Sequence, residues 1–523
     1  MNTNTLKLGK WLGFSSLLAS LLIVAGCSLA PTYVKPDVDA PAAYKEATAA
    51  TAASSTNAET NAVSSAADAG TWKTAQPSDQ IPRGEWWTVF DDATLNDLER
   101  QASQANQNLK AAAARVKEAR AINETARSAL FPTVDAGFGP TREKVSAASQ
   151  LQPDGTNIPQ QTMWRAQASA SYEVDLFGRV SDTVKASQAD AQQSEALFRS
   201  VQLALQADVA QNYFNLREYD AQIDVYKRGV DLRQEAVKIV QHKFDEGDTS
   251  ELDLARAKAE LATAQSDQMG VERLRAASEH SLAVLLGKAP AQFSLAANPI
   301  KPVGVDIPPG LPSALLERRP DIAAAERAMA AANSRIGVAK AAYFPSLSLT
   351  GTGGFESATL GDLFKWSSRA FLMGPLAGTA LTVPIFDGGR RKGNLADARA
   401  VYEEDAAKYR EQVLVAFQEV EDGLSDLRIL KDQTRVQDEA VVASARAAQI
   451  SRTQYTEGAV NYLDVIDAER TVLQSQLAAA QLTGTQAVST VHLIRALGGG
   501  WGDTSDVGDA GATRSGAPAV ASN

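Results

Sequence analysis

Polarity alternates strictly over residues 164–176: Trp164, Ala166, Ala168, Ala170, Tyr172, Val174 and Leu176 are apolar, while Arg165, Gln167, Ser169, Ser171, Glu173 and Asp175 are polar. A period of two marks a strand with one face toward an apolar phase and the other toward water. At ~3.3 Å per residue and a tilt of ~40°, such a strand rises about 33 Å, enough to cross the ~25 Å apolar band of an outer membrane. Val134, Ala136 and Phe138, then Leu347, Leu349 and Phe355, repeat the pattern more weakly, and a fourth strand is expected near 376–386, where alternation is poorest. From alternation alone a soluble sandwich sheet is the competing reading. Elsewhere the period lengthens. No proline falls between Pro159 and Pro290, or between Pro384 and Pro518, and an internal proline would cost a helix ~3 kcal/mol. Apolar Val201, Leu205, Val209, Tyr213 and Leu216 recur at helical spacing inside the first gap. The pattern predicts a first helix over 94–130, a long one over 180–245 and a returning one over 249–287 capped by Gly287.

The second half repeats the first. Arg179, Phe244, Gly247, Leu252 and Asp253 are answered at a constant offset of 211 by Arg390, Tyr455, Gly458, Leu463 and Asp464, and Phe131-Pro132 by Phe344-Pro345 at an offset of 213. The chain therefore reads as one module used twice, over 94–300 and 301–498. Each module runs helix, strand, long loop, strand, long helix, tight Gly turn, returning helix. At ~1.5 Å per residue the long helix makes each module a rod about 100 Å long. Two modules supply four strands, and four strands cannot close. An open edge is intolerable in lipid, so closure needs further copies of the chain; three copies give twelve strands with a water-filled lumen.

Composition narrows the chemistry. Lys plus Arg is 51 against 62 Asp plus Glu, a net charge of -11, which argues against nucleic acid as a partner. Cys27 is the sole cysteine, and His242, His280 and His492 are scattered, so neither a disulfide framework nor a His/Cys metal site is expected. There is no Gly-x-Ser-x-Gly and no phosphate loop, and Gly351-Thr352-Gly353-Gly354-Phe355-Glu356 fails the dinucleotide pattern, so no enzyme and no cofactor is expected. Lys7 and Lys10 precede an apolar run from Trp11 to Val24 that is too short to span a membrane, and Ala25-Gly26-Cys27 follows. Residues 1–26 thus read as a signal peptide. Val24-Ala25-Gly26-Cys27 resembles the bacterial lipoprotein signal, in which the cysteine is acylated, and Ser28 fits outer-membrane sorting. An ordinary signal peptide with an incidental cysteine is the alternative. Residues 27–93 then form a lipid-anchored linker, and 499–523 a disordered tail.

Trp86-Trp87-Thr88-Val89-Phe90-Asp91-Asp92, then Leu316-Glu317-Arg318-Arg319-Pro320-Asp321-Ile322, Ala325-Glu326, Ile336-Gly337, Ala339-Lys340 and Phe344-Pro345, resemble the signatures of TolC-like outer membrane efflux proteins. Asp175-Leu176-Phe177-Gly178-Arg179 and the cysteine signal are similar to the lipoprotein branch, the OprM/NodT-type factors. The resemblance implies a mixed α+β, mostly α fold. Three chains would form a 12-stranded transmembrane β-barrel continuing into a 12-helix periplasmic α-barrel, the exit duct of a tripartite efflux pump. It also implies a periplasmic adaptor and an inner-membrane transporter of the resistance-nodulation-division class as partners, small molecules such as drugs as cargo, and outer membrane lipid around the barrel. An outer membrane duct for type I protein secretion, and a lipid-tethered coiled-coil scaffold without a pore, are the other readings.

Function is expected at the hairpin tips. Asp245, Glu246, Asp248, Glu251 and Asp253 crowd the first tip with carboxylates and would make an acidic mouth in three copies. Asp248 with Glu251, and Asn461 with Asp464, also fit capping boxes for the returning helices. Asp467 lies three residues after Asp464, where like charges repel, and Arg470 three residues further on can offset this. In channels this chain resembles, Tyr455, Leu463, Asp464, Asp467 and Arg470, with Asp253 of the other tip, match positions that constrict the periplasmic end. Rings of Asp467 and Leu463 are expected to close the resting channel. Gly247, Asp248, Gly458 and Asn461 are expected to meet the adaptor, the glycines because a Cβ would crowd the chain reversal.

Overall fold

A computed structural model describes residues 28–36, 41, 43–46, 84–153, 155–305, 307, 312–373 and 381–499. The segment expected to be a signal peptide, Cys27, most of the expected linker and all but Gly499 of the expected tail lie outside the described residues. The chain divides into two compact units, one of residues 1–37, 115–195 and 324–410, the other of residues 38–114, 196–323 and 411–523.

The first unit holds the sheet. β1 (Thr133–Glu143), β2 (Gln161–Val174), β3 (Ser346–Ser357) and β4 (Arg369–Met373) pair in that order, all antiparallel, and β5 (Leu381–Thr382) also pairs with β3. Of the strand expected near 376–386, residues 376–380 lie outside the described residues; within the rest, Leu381–Thr382 is the part in strand. Pro384, two residues beyond β5, cannot donate a hydrogen bond to a ladder. Among the described residues the outer edges of β1 and β4 have no strand beside them. Asp175 ends the β2 segment by accepting from the N–H groups of Val180 (3.1 Å) and Ser181 (2.7 Å), and so caps α3 (Arg179–Asp245). Asp387 does the same for α7 (Arg390–Thr456), accepting from Gly389 and Arg391, each at 3.1 Å.

Helices make up the second unit and part of the first. α1 (Ala93–Ala105) and α2 (Gln107–Ser128) replace the single helix expected over 94–130. Asn106 breaks it: its backbone is extended, its side-chain N–H donates to the Leu285 carbonyl at 2.9 Å, and its Oδ1 accepts from the Leu109 N–H at 2.9 Å. A residue that caps the second helix cannot also continue the first. α3 is followed by α4 (Glu251–Leu285), α5 (Pro312–Arg318) and α6 (Pro320–Ala341), and α7 by α8 (Tyr462–Ala496). α3 and α7 each contain 67 residues, α4 and α8 each 35.

Two buried ion clusters lock these helices. Asp220 on α3 accepts from Arg217 (3.0 Å), Arg275 of α4 (2.6 Å) and the Asn298 N–H (2.8 Å), which fixes the strand of chain after α4. Arg319 donates to Asp321 (2.6 Å), to Glu419 of α7 (2.5 Å) and to the Ala496 carbonyl that ends α8 (3.0 Å). Every charge has partners, so the burial cost is offset. Trp86 and Trp87 are buried in a short 3-10 turn, and the indole N–H of Trp86 donates to Gln206 at 3.1 Å.

Candidate functional site

The two hairpin tips use the same turn. Gly247 and Gly458 have φ of +82° and +77°. The Gly247 N–H donates to Phe244 (3.0 Å) and Asp248 to Lys243 (2.8 Å); Gly458 donates to Tyr455 (3.1 Å) and Ala459 to Gln454 (2.7 Å). This is the Schellman pattern, which needs a left-handed residue. A Cβ at either glycine would meet nothing within 4 Å. The crowding expected at these glycines is therefore corrected: backbone conformation, not space, selects glycine.

Capping at the first tip is also corrected. Ser250, not Asp248, is the N-cap of α4, and its Oγ accepts from the Asp253 N–H at 3.3 Å. Asp253 Oδ2 in turn accepts from the hydroxyls of Ser250 (3.0 Å) and Thr249 (3.2 Å), so this carboxylate is held locally. Asp248 is exposed, and among the described residues its side chain has no hydrogen bond. At the second tip the Asn461 N–H donates to Asp464 Oδ2 at 3.1 Å, the reciprocal arm of the expected capping box.

Behind the turns Val240, Leu254, Ala257, Tyr462, Val465 and Ile466 form a buried cluster with Val237 and Tyr455 packed against it. The rings of Tyr455 and Tyr462 lie 5.4 Å apart, and Lys243 Nζ sits 4.5 Å above the Tyr455 ring. Burial first, then Glu469, pushes Tyr462 up to about 12; burial, then Asp253, raises Tyr455. Both phenols stay neutral. Leu463, Asp467 and Arg470 share one exposed face of α8, at helical spacing. Arg470 is committed elsewhere than expected: its guanidinium grips Glu260 of α4, with Nε to Oε2 at 3.1 Å and Nη2 to Oε1. Arg452 of α7 similarly holds Glu469 of α8 at 2.8 Å. Sequence reasoning missed Glu260, Arg452, Glu469 and Lys243. For Glu260 a signal existed, because it is the tenth residue of α4 and Arg470 the ninth of α8, at nearly equal depth from their tips.

The sheet has two chemically distinct faces, because paired residues point the same way. Arg165, Gln167, Ser169, Ser171 and Glu173 pair with Gly139, Gly137, Asp135 and Thr133 on one side and with Glu356, Gly354, Thr352, Thr350 and Ser348 on the other. Arg165 there bridges Glu143 (3.0 Å) and Glu356 (3.1 Å). The opposite face carries Val134, Phe138, Trp164, Ala166, Tyr172, Leu347, Leu349, Phe355, Phe371 and Leu381. Val134 is 70% exposed, Phe138 65% and Phe371 81%, which water would not favour. The chain just after Cys27 is pinned in the same unit. The Ser28 hydroxyl reaches both oxygens of the buried Asp182 (2.7 and 2.8 Å), the Asn333 side chain donates to the Pro31 carbonyl at 2.8 Å, and the Tyr33 hydroxyl donates to Glu326 at 2.6 Å. A Cβ on Gly178 would sit 2.7 Å from Ser28 Cα, so this close approach requires glycine.

A family model described as "Outer membrane efflux protein" matches residues 98–288 and 311–499. The toluene efflux pump outer membrane protein TtgF of Pseudomonas putida is 32% identical over 489 residues, 93% of this chain and 97% of that protein. The cation efflux system protein CusC of Escherichia coli is 31% identical over 484 residues, 92% of this chain and 97% of that protein. Among solved structures, the Campylobacter jejuni CmeC outer membrane channel superposes with a TM-score of 0.79 at 26% identity, over 91% of this chain and 96% of that one.

Proposed function

This chain belongs to the outer membrane efflux protein family, a family of channels rather than enzymes, and from that premise we propose that it forms the outer membrane duct of a tripartite efflux pump. In this reading three copies close one barrel of twelve strands and one tunnel of twelve helices, and small molecules such as drugs leave through it. The observation that carries the proposal is the sheet: one polar face, one apolar face with exposed Val134, Phe138 and Phe371, and edges at β1 and β4 with no strand beside them among the described residues. Such a sheet is stable in lipid only if its edges pair with other copies. The equal lengths of α3 and α7, and of α4 and α8, support the internal duplication that lets six hairpins form a near-regular ring.

An acyl group on Cys27 would anchor the chain. The tethering of the next residue, Ser28, to Asp182 at the start of α3 supports an anchor held beside the strand ends. At the tips, Leu463 and Asp467 on the exposed face of α8 would form the constriction, with Arg470–Glu260 keeping α8 against α4. Gly247, Asp248, Gly458 and Asn461 lie at or beside the turns, where an adaptor would reach them, and an inner-membrane pump of the resistance-nodulation-division class would supply the cargo. The test is electrophoresis and planar-bilayer recording of the mature protein. A band of three chains that dissociates only on heating, with discrete conductance steps, is expected; a stable monomer without conductance would end the proposal.

A further inference from the structure

The apolar face of the sheet carries two cations, both at the end remote from the strand–helix junctions. Arg142 pairs with Thr162, two residues before Trp164 on the same face. Arg369, the first residue of β4, pairs with Phe355, itself opposite Ala166. Neither has a carboxylate partner among the described residues. Arg369 Nε donates to the Trp366 carbonyl at 2.8 Å and its guanidinium lies over the Trp366 ring, while the Arg142 side chain makes no hydrogen bond among the described residues. Arg165 makes the contrast plain, because on the polar face it is matched to two glutamates. At the junction end, Val134, Val174, Leu347, Leu349 and Leu381 place no charge on the apolar face.

Aromatic rings surround the two arginines. Phe138 stacks on Trp164 with centroids 6.1 Å apart, Phe355 meets Phe364 edge-on at 5.6 Å, and Phe364 and Trp366 are 68% and 77% exposed. An arginine facing lipid is costly at the midplane and nearly free near the interface, so the two cations mark the rim of the apolar band. Guanidinium groups kept free of carboxylates, on a lipid-facing rim, match phosphate, which they bind through paired N–H donors.

We propose that Arg142 and Arg369 hold the phosphate groups of a phosphorylated glycolipid in the outer leaflet, with the aromatic belt taking its acyl chains. The inference rests on the barrel reading above, which places this end of the strands outermost. The full mature protein is reconstituted in phosphatidylethanolamine vesicles doped with bisphosphorylated lipid A or with the same lipid enzymatically dephosphorylated, re-extracted, and scored for retained lipid by native mass spectrometry. The protein is expected to retain the phosphorylated form. R142Q/R369Q should retain it at least roughly tenfold less, since two charge-assisted contacts are lost, and R142K/R369K should remain within a few-fold of the parent. Equal retention of both lipids by the parent, or equal retention by the Gln variant with intact strand-type circular dichroism, overturns the inference alone. Protein that fails to enter the vesicles overturns the barrel reading, and this inference with it.

Discussion

Arg470 of α8 and Glu260 of α4 join the two returning helices of one protomer through two N–H···O contacts, one at 3.1 Å. The pair is partly solvated, with the arginine side chain 55% exposed. Solvated pairs of this kind contribute only ~0.2–1 kcal/mol to stability. Its removal should therefore free the tip without unfolding the chain. Arg470→Ala is expected to raise single-channel conductance in a planar bilayer while the unfolding temperature moves by no more than a few degrees. A conductance equal to the parent's would show that this contact holds nothing shut.

Asp467 differs, because its carboxylate is exposed and lies on the same face as Leu463. In a ring of three, such carboxylates repel one another and attract cations. Asp467→Ala should raise conductance and weaken cation selectivity together, read from reversal potentials under a salt gradient. An unchanged, near-closed trace with unchanged selectivity would remove Asp467 from the constriction.

Gly247 and Gly458 test why a turn needs glycine. Each is left-handed and each faces open space. A side chain of any size therefore incurs the same backbone cost, about 1–2 kcal/mol. Gly247→Ala and Gly247→Leu should lower the melting temperature equally, and Gly247→Asn should lower it less. A leucine variant markedly worse than alanine would restore crowding as the reason.

Ser250 and Asp248 separate a cap from a bystander. Ser250→Ala removes the acceptor for the Asp253 N–H and a donor to the Asp253 carboxylate. The expected cost is ~1 kcal/mol by chemical denaturation. Asp248→Ala should leave stability within ~0.5 kcal/mol, as for other exposed sites. Reversed effects would return the cap to Asp248.

Much of this fold was legible because long periodicity is hard to counterfeit. Residues 164–174 alternate without exception, and the strand observed, Gln161–Val174, carries that alternation onto two faces. The long helix expected over 180–245 is found at Arg179–Asp245, since proline-free sequence of that length leaves few alternatives. Local competition was less legible. Asn106 reads as an ordinary helical residue until Leu285 is seen to accept from it. Ser250 outcompetes Asp248 as a cap by two positions, which spacing alone does not decide. Long-range pairing was least legible, because which of the many charges on α4 and α8 meet depends on helix rotation that sequence does not fix, as with Glu260 and Arg470.

Glu99 of α1 supplies a pH signature. It is fully buried, neither carboxyl oxygen has a hydrogen-bond partner among the described residues, and burial pushes its carboxyl up to about 9. The folded chain thus holds Glu99 neutral at pH 7, while the unfolded chain ionises it near 4.5. The folded-state value is the higher of the two, so the contribution to stability is complete below pH 4.5 and is lost progressively as pH rises toward 9. At pH 7 the ionisation of the unfolded state costs roughly 3 kcal/mol. Glu99→Gln keeps the shape and removes the titration. The variant should match the parent near pH 4 and exceed it in stability at pH 8, so that the two denaturation midpoints diverge as pH rises. Parallel midpoints across that range would mean that Glu99 gains a partner or a water in the folded protein, and that its carboxyl is charged there.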